Sequence, residues 1–291
     1  MMRRTGLSGS CMEMNGKYIT TCEYAKIGRP PMKLKLISCE ILYREMCFLV
    51  ARSRNQIDVE FLPKGLHDLG AAKMLDHLQG VVDAVDPASY SAIVLGYGLC
   101  GTGLVGLKAP RIPMVVPRAH DCITFFLGSK ERYLEYFHEN PGVYFRTTGW
   151  IERGGNLVQL AGQASIQEQL GGQMSYEDLV AKYGDENARY IWEQLGDYTK
   201  YYRQLTFIET GIEPDGTFEE SARQEAARRG WAFEKITGNL SLLERLLKGE
   251  WDEADFLVVP PGSEIAPRYD AQIIEAKPKG VGDAGQEKAD S

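Results

Sequence analysis

The stretch Ser91-Ala-Ile-Val-Leu-Gly-Tyr-Gly-Leu-Cys-Gly-Thr-Gly103 runs from a short apolar core straight into a glycine-rich turn. A continuous apolar run closed by turn residues is the pattern of a strand buried on both faces of a parallel sheet. Three comparable runs flank it, Leu34 to Ser38, Ile57 to Leu62 and Ile112 to Val116. Between them lie amphipathic stretches that predict helices starting near Glu40, Leu66 and Gly101, with a further helix from Cys122 to Phe137. Alternation of this kind predicts an α/β chain with mainly parallel sheets.

The plan has a counterpart further along. Leu205 to Glu209, Trp231 to Ile236 and Asp255 to Pro260 follow one another as the first three runs do. The expectation is two Rossmann-like βαβ lobes, an internal duplication, facing each other across a cleft. In that arrangement Glu209 would stand opposite Cys39. The boundaries are a loosely attached extension over residues 1–31, a first lobe over 32–140, an irregular and helical connection over 141–203, a second lobe over 204–276 and a disordered tail over 277–291. The connection holds an aperiodic region, Val143 to Gly172, and helices are expected over Ser175 to Tyr183 and Glu186 to Tyr202. The extension shows neither a helical nor a strand period, and Met32 is the expected start of the ordered chain.

Composition narrows the class. The chain has 291 residues, a net charge of −7, 44% hydrophobic and 25% charged residues. A negative balance argues against nucleic acid as the main partner, because phosphate binding needs a concentrated basic face. No stretch approaches the roughly 18 uninterrupted apolar residues of a membrane span. There is no apolar signal-peptide core, and six cysteines at irregular spacings read as cytoplasmic thiols rather than a disulfide framework.

Three of those cysteines each fall just past a strand run: Cys39, Cys100 and Cys122. Ligands of open parallel sheets collect outside the carboxyl ends of the strands, so these thiols are expected to meet there although they are far apart in sequence. Three thiolates suit a soft or borderline metal and leave one position for water, substrate or another protein ligand. His120 and Glu209 are the candidates for that position and for catalysis. The choices are zinc, with sulfurs expected about 3–5 Å apart given Zn–S bonds near 2.3 Å, or a four-iron, four-sulfur cluster, whose ligands can be more widely spaced. Packing of the thiols as small hydrophobes and a reversible disulfide remain the alternatives. Cys47 is assigned to a helix core.

The glycines at 96, 98 and 101 match part of a dinucleotide fingerprint, but they follow a third strand. Gly96, Gly98 and Gly101 are instead expected to let the loop fold around a metal and its bound ligand. Arg118 is a candidate for holding an anionic group of the substrate. Asp121 is placed to cap the following helix, and a helix start there should favour the Cys122 thiolate. His67 and Glu264 are weaker candidates on the same edge, and the tyrosines at 198, 201 and 202 are assigned to packing.

The segments Ile37-Ser-Cys-Glu40, Gly96-Tyr-Gly-Leu-Cys-Gly101 and Pro117-Arg-Ala-His-Asp-Cys122 resemble the signature of a domain-of-unknown-function family of anaerobic bacteria and methanogens. The resemblance spans roughly Met32 to Lys277. It implies an association with corrinoid-dependent methyl transfer and one-carbon metabolism. A small-molecule substrate is expected, with a corrinoid protein or methyltransferase as partner and the corrinoid itself supplied through it. The expected function is a metal-dependent enzyme; an iron–sulfur protein and a non-catalytic metal or corrinoid carrier are the alternatives.

Overall fold

A computed structural model describes residues 12–14, 17–19, 30–100, 102–153, 180–181, 184, 185, 187, 189 and 202–278. The chain divides into two units, residues 1–32 and 33–291. In the first, β1 (Met12–Met14) and β2 (Lys17–Ile19) pair antiparallel, a hairpin where no strand was expected.

The second unit is mixed α/β. Its elements are β3 (Lys33–Cys39), a 3-10 turn (Glu40–Leu42), α1 (Tyr43–Val50), β4 (Gln56–Leu62), a second 3-10 turn (Lys64–Leu69) and α2 (Ala71–Asp83). Next come β5 (Ala92–Gly96), β6 (Met114–Pro117), α3 (Ile123–Leu127), α4 (Lys130–Glu139), β7 (Val143–Arg146) and α5 (Thr148–Arg153). The remainder is β8 (Gln204–Glu209), α6 (Thr217–Arg229), β9 (Ala232–Thr237), α7 (Ser241–Lys248), β10 (Phe256–Val259), β11 (Ser263–Pro267) and β12 (Ile274–Pro278).

The large sheet has the order β10-β6-β5-β3-β4. All of its pairings are parallel except β10 with β6. Every residue of β5 is buried, as its unbroken apolar run requires in a central strand. Side chains alternate between faces. Ile93 and Leu95 pack with Met74, Leu78 and Val82 of α2 and with Ile265 and Ile274 of the β11–β12 ladder. On the other face α7 packs against α1, β5 and β6. The chain leaves β3 for β4 on one side and then crosses to β5 on the other, so the sheet has a switch point between the carboxyl ends of β3 and β5.

The small sheet is all parallel, in the order β7-β8-β9. Leu205 and Phe207 of β8 bury against Ala222 and Ala226, one turn apart on α6.

Four expectations are revised. The third strand of the supposed repeat, β10, joins the large sheet antiparallel to β6 instead of lying beside β8. The strand orders of the two halves therefore differ, because the edge of β6 was open to the returning chain. The helix expected near Gly101 is absent from the described residues beside it: 102–106 are turns, with Cys100, Thr102 and Gly106 at φ of 46°, 79° and 88°, outside the range a helix tolerates. The single helix expected from Cys122 is two, α3 and α4, separated by Gly128 at φ 84° and restarted by Ser129, whose Oγ accepts from Arg132 N. The aperiodic region supplies β7 and α5, while the helices expected over 175–202 lie almost wholly outside the described residues.

Candidate functional site

The register sets the site. Ser38 is opposite Gly96, and Val94 is opposite Val115, so β3, β5 and β6 end together at one edge of the sheet. At that edge Cys39 closes β3, and Cys100 and Cys122 lie in the loops after β5 and β6. Beyond the strands the pairing continues in the loops. Leu99 N donates to Ala119 O at 2.8 Å and Cys100 N to His120 O at 2.9 Å. This close approach depends on two glycines. A Cβ at Gly96 would lie 2.2 Å from Ser38 Oγ, and one at Gly98 would lie 2.9–3.0 Å from the backbone of Asp121.

The third wall comes from α5. Gly149 lets its helix sit directly on the turn after β3, where a Cβ would meet Ile41 O at 1.7 Å. Trp150 is thereby brought to the site, where it lines the same cavity as Cys122. Glu40 accepts from the Lys64 backbone N–H at 2.9 Å and pairs with Arg153 at 3.5 Å, which fixes the loop after β4.

These walls enclose a cavity of about 400 Å³. Cys39, Cys100 and Cys122 all line it, as do Gly96, Tyr97, Gly98, Lys64, Asp121 and Arg146. Its remaining surface is largely aromatic and aliphatic, with Phe125, Tyr133, Phe145, Trp150 and Tyr202 among the lining groups. Arg146 is held by a two-pronged ion pair with Glu225 at 2.8 and 2.9 Å.

Burial dominates the electrostatics. It pushes the Cys100 thiol up to about 12, with the neighbouring charges of Cys39 and Asp121 adding to the effect. Cys122 is raised well above the ordinary thiol value by burial, then by Asp121, Cys100 and Cys39. The expectation that a helix start would favour the Cys122 thiolate is thus reversed; desolvation outweighs a five-residue helix. Burial also raises the Asp121 carboxyl. Its Oδ1 accepts from Ile123 N at 2.9 Å, the expected cap, and its Oδ2 accepts from the Tyr133 hydroxyl at 3.0 Å. The three thiols feel one another's charge, yet among the described residues no three His, Cys, Asp or Glu side chains form a group able to hold a metal ion. The close sulfur triad is therefore not preassembled. Cys100 keeps a left-handed backbone at φ 46°, a conformation that costs a non-glycine residue about 1–2 kcal/mol.

Other sequence candidates fall outside the cavity. His120 is exposed; its carbonyl holds Cys100 N, and its ring lies 6.4 Å from that of Tyr133. Glu209 ends β8 in the small sheet and pairs with Lys235 at 3.2 Å; it is not among the groups facing Cys39 across the cavity. Arg118 is a clamp. Its guanidinium donates to the carbonyls of Glu253 at 2.9 Å, Gln272 at 2.7 Å and Ile274, so it serves the chain rather than a substrate. Glu264 forms an isolated bridge with Lys108. Gly101 lies outside the described residues, as do Tyr198 and Tyr201, and of His67 the backbone alone is described. Cys47 is exposed rather than buried, since α1 turns Glu45, Met46 and Leu49 inward.

Sequence reasoning missed Tyr97, Lys64, Arg146 and Trp150 as site residues. Tyr97 sat inside the quoted motif, between two glycines. Lys64 opens the 3-10 turn that follows β4, and Arg146 and Trp150 come from a segment without period, signalled only by the density of aromatic residues between Tyr133 and Trp150.

The family model described as "Protein of unknown function (DUF1638)" matches residues 61–247. The chain belongs to this family. The matched span contains both loops that bring Cys100 and Cys122 together, whereas Cys39 lies before it. No curated protein and no solved structure matches the chain. Among the described residues no helix is long and apolar enough to cross a membrane.

Proposed function

We propose that this DUF1638 chain is a metalloprotein in which Cys39, Cys100 and Cys122 hold an iron–sulfur cluster at the switch point, with the adjoining cavity as the chamber for a small substrate. The observation that carries the reading is that thiols from the ends of three neighbouring strands line one cavity. We take the cluster as the form to test first because three thiol-bearing strand ends around a cavity of about 400 Å³ leave room for more than a single ion. Cluster ligands bind different irons and stand further apart than the ligands of a single ion. Three thiolates leave a fourth coordination position open, where a substrate can meet a Lewis acid.

The family resemblance adds a role in one-carbon or methyl metabolism. A corrinoid is far larger than a cavity of about 400 Å³, so in this reading it belongs to a partner protein. A cytoplasmic setting goes with the same reading, because thiolates that hold metal must stay reduced.

Protein purified without oxygen should carry iron and sulfide with a visible charge-transfer spectrum. Cys100→Ser should lose most of it, since a hydroxyl is a poor substitute for a thiolate on soft metal. Cys47→Ser, at an exposed position, should keep both the metal and the stability. Stoichiometric zinc without iron would replace the cluster by a zinc site, and metal-free protein from an iron- and zinc-replete preparation would refute the metal reading.

A further inference from the structure

A carboxyl group is sealed into the contact between α1 and the loop that joins β8 to α6. Glu45 is 0% exposed, and glutamate reaches such burial only when it is paired or carries a proton. Among the described residues no cation pairs with it. Arg44, its neighbour on α1, commits Nε and Nη2 to the Glu152 carboxylate of α5 at 2.9 and 2.8 Å and lies 5.7 Å over the ring of Phe218 on α6.

The loop presents a second carboxylate. Glu213 Oε1 accepts from Thr210 N at 2.7 Å and from the Thr210 hydroxyl at 2.8 Å, and its Oε2 accepts from Gly211 N at 2.7 Å. The same hydroxyl stands 3.4 Å from Glu45 Oε1, while Glu45 Oε2 has no partner among the described residues. A hydroxyl has one hydrogen and two lone pairs. With the hydrogen on Glu213, it meets Glu45 only as an acceptor. Glu45 therefore completes the chain when it carries a proton; when ionised, it competes with Glu213 for one hydrogen and repels it.

We propose that Glu45 is a proton-operated latch: protonated, it holds residues 210–213 against α1 through Thr210 Oγ1, and ionised, it lets that loop go. Of the charges nearby, Glu213 opposes ionisation and Arg44 favours it. Cys47, on the same helix, feels the Glu45 charge. Asp215 of the loop caps Thr217. From α5, Arg153 is engaged with Glu40 and with the Tyr43 ring. From α7, also packed on α1, Glu244 and Lys248 pair with each other at 2.7 Å.

Burial, with the Glu213 charge, holds the Glu45 carboxyl at about 7 against 4.5. Docking is thus favoured in full below about pH 4.5, and the advantage falls away as pH rises to about 7. The loop leads into α6, whose Glu225 holds Arg146 in the cavity wall. Glu45, Thr210 and Glu213 do not line that cavity, so the latch stands apart from the metal site.

Backbone hydrogen exchange of residues 210–213 tests the latch, from pH 5 to 7.5, in the anaerobically purified chain and its Glu45→Gln variant, whose side-chain N–H can donate to Thr210 Oγ1 at every pH. Intrinsic exchange rates divide out when the two proteins are compared at each pH. Protection of the loop in wild type relative to the variant should fall by about tenfold or more over this range. It should also be insensitive to urea below the unfolding transition, as local opening is. A constant ratio overturns the latch. Loop exchange that follows urea with the slope of the core amides overturns it too, since the loop then opens only with the whole chain. Glu45→Met, equally without a titrating group, is the reference if the glutamine variant does not fold.

Discussion

Replacing Gly98 by alanine should destabilise the protein by about 2 kcal/mol, an overpacking cost at a rigid contact, and should also lower its metal content. The added Cβ would lie 2.9 Å from Asp121 Cα and 3.0 Å from both its C and N. Non-bonded carbons settle at about 3.5–4.0 Å, so the two loops must part by about 0.5–1 Å. All three obstacles are backbone atoms, and no side chain can swing aside. The same opening stretches the bonds from Leu99 N to Ala119 O, now 2.8 Å, and from Cys100 N to His120 O, now 2.9 Å. Since those bonds join the loops that carry Cys100 and Cys122, the two thiols move apart together with the loops, which on the proposed metal reading weakens the site. Gly80→Ala is the matched control. Gly80 is exposed within α2 with nothing inside 4 Å of a new Cβ, so alanine there should stabilise by about 0.5–1 kcal/mol through helix propensity alone. Denaturant midpoints at constant slope, with metal analysis of both variants, measure the two effects. A Gly98→Ala protein as stable as wild type and fully loaded would refute the idea that this glycine contact assembles the site.

Two further outcomes follow from groups away from the cavity. Burial holds the Glu45 carboxyl at about 7 against an ordinary value of 4.5, with the Glu213 charge adding to the rise and the Thr210 hydroxyl and Arg44 opposing it. A raised carboxyl favours the folded state in its protonated form, so its contribution is complete below about pH 4.5 and lost as pH rises through about 7, a span of about 3 kcal/mol. Unfolding free energies of wild type minus Glu45→Gln, measured from pH 4.5 to 8, should fall by that amount; a flat difference would show that the carboxyl is solvated. Arg118→Met removes three donations to backbone carbonyls and should cost about 2 kcal/mol, in the range of charged hydrogen bonds. Its metal content should match wild type, and a selective loss of metal would return Arg118 to the site.

Much of the frame was legible along the chain. The four runs became β3, β4, β5 and β6 within two residues at each end: β5 and β6 are buried throughout and must be apolar, whereas β3 and the edge strand β4 alternate apolar with charged residues. The placement of Cys39, Cys100 and Cys122 on one cavity was legible for the same reason: parallel strands end at a common edge, so residues that close three strands must share it. The break between α3 and α4 was written in Gly128-Ser129, a left-handed glycine followed by a capping serine, and was passed over in favour of apolar periodicity.

What the sequence determined by itself is the local material: which segments are strands, where glycine permits close approach, and which thiols end the strands. Tertiary structure alone decided the partners. β10 joined β6 rather than β8 because edge pairing depends on which strand lies open in space, and no local pattern encodes that. Trp150 and Arg146 reached the cavity through the packing of an aperiodic segment, with Gly149 seated on the Ile41 carbonyl. The charge state of the thiols also depended on the whole fold. A helix start favours a thiolate, but enclosure by the surrounding rings raised both Cys100 and Cys122, since desolvation depends on everything around a group and not on its neighbours in sequence.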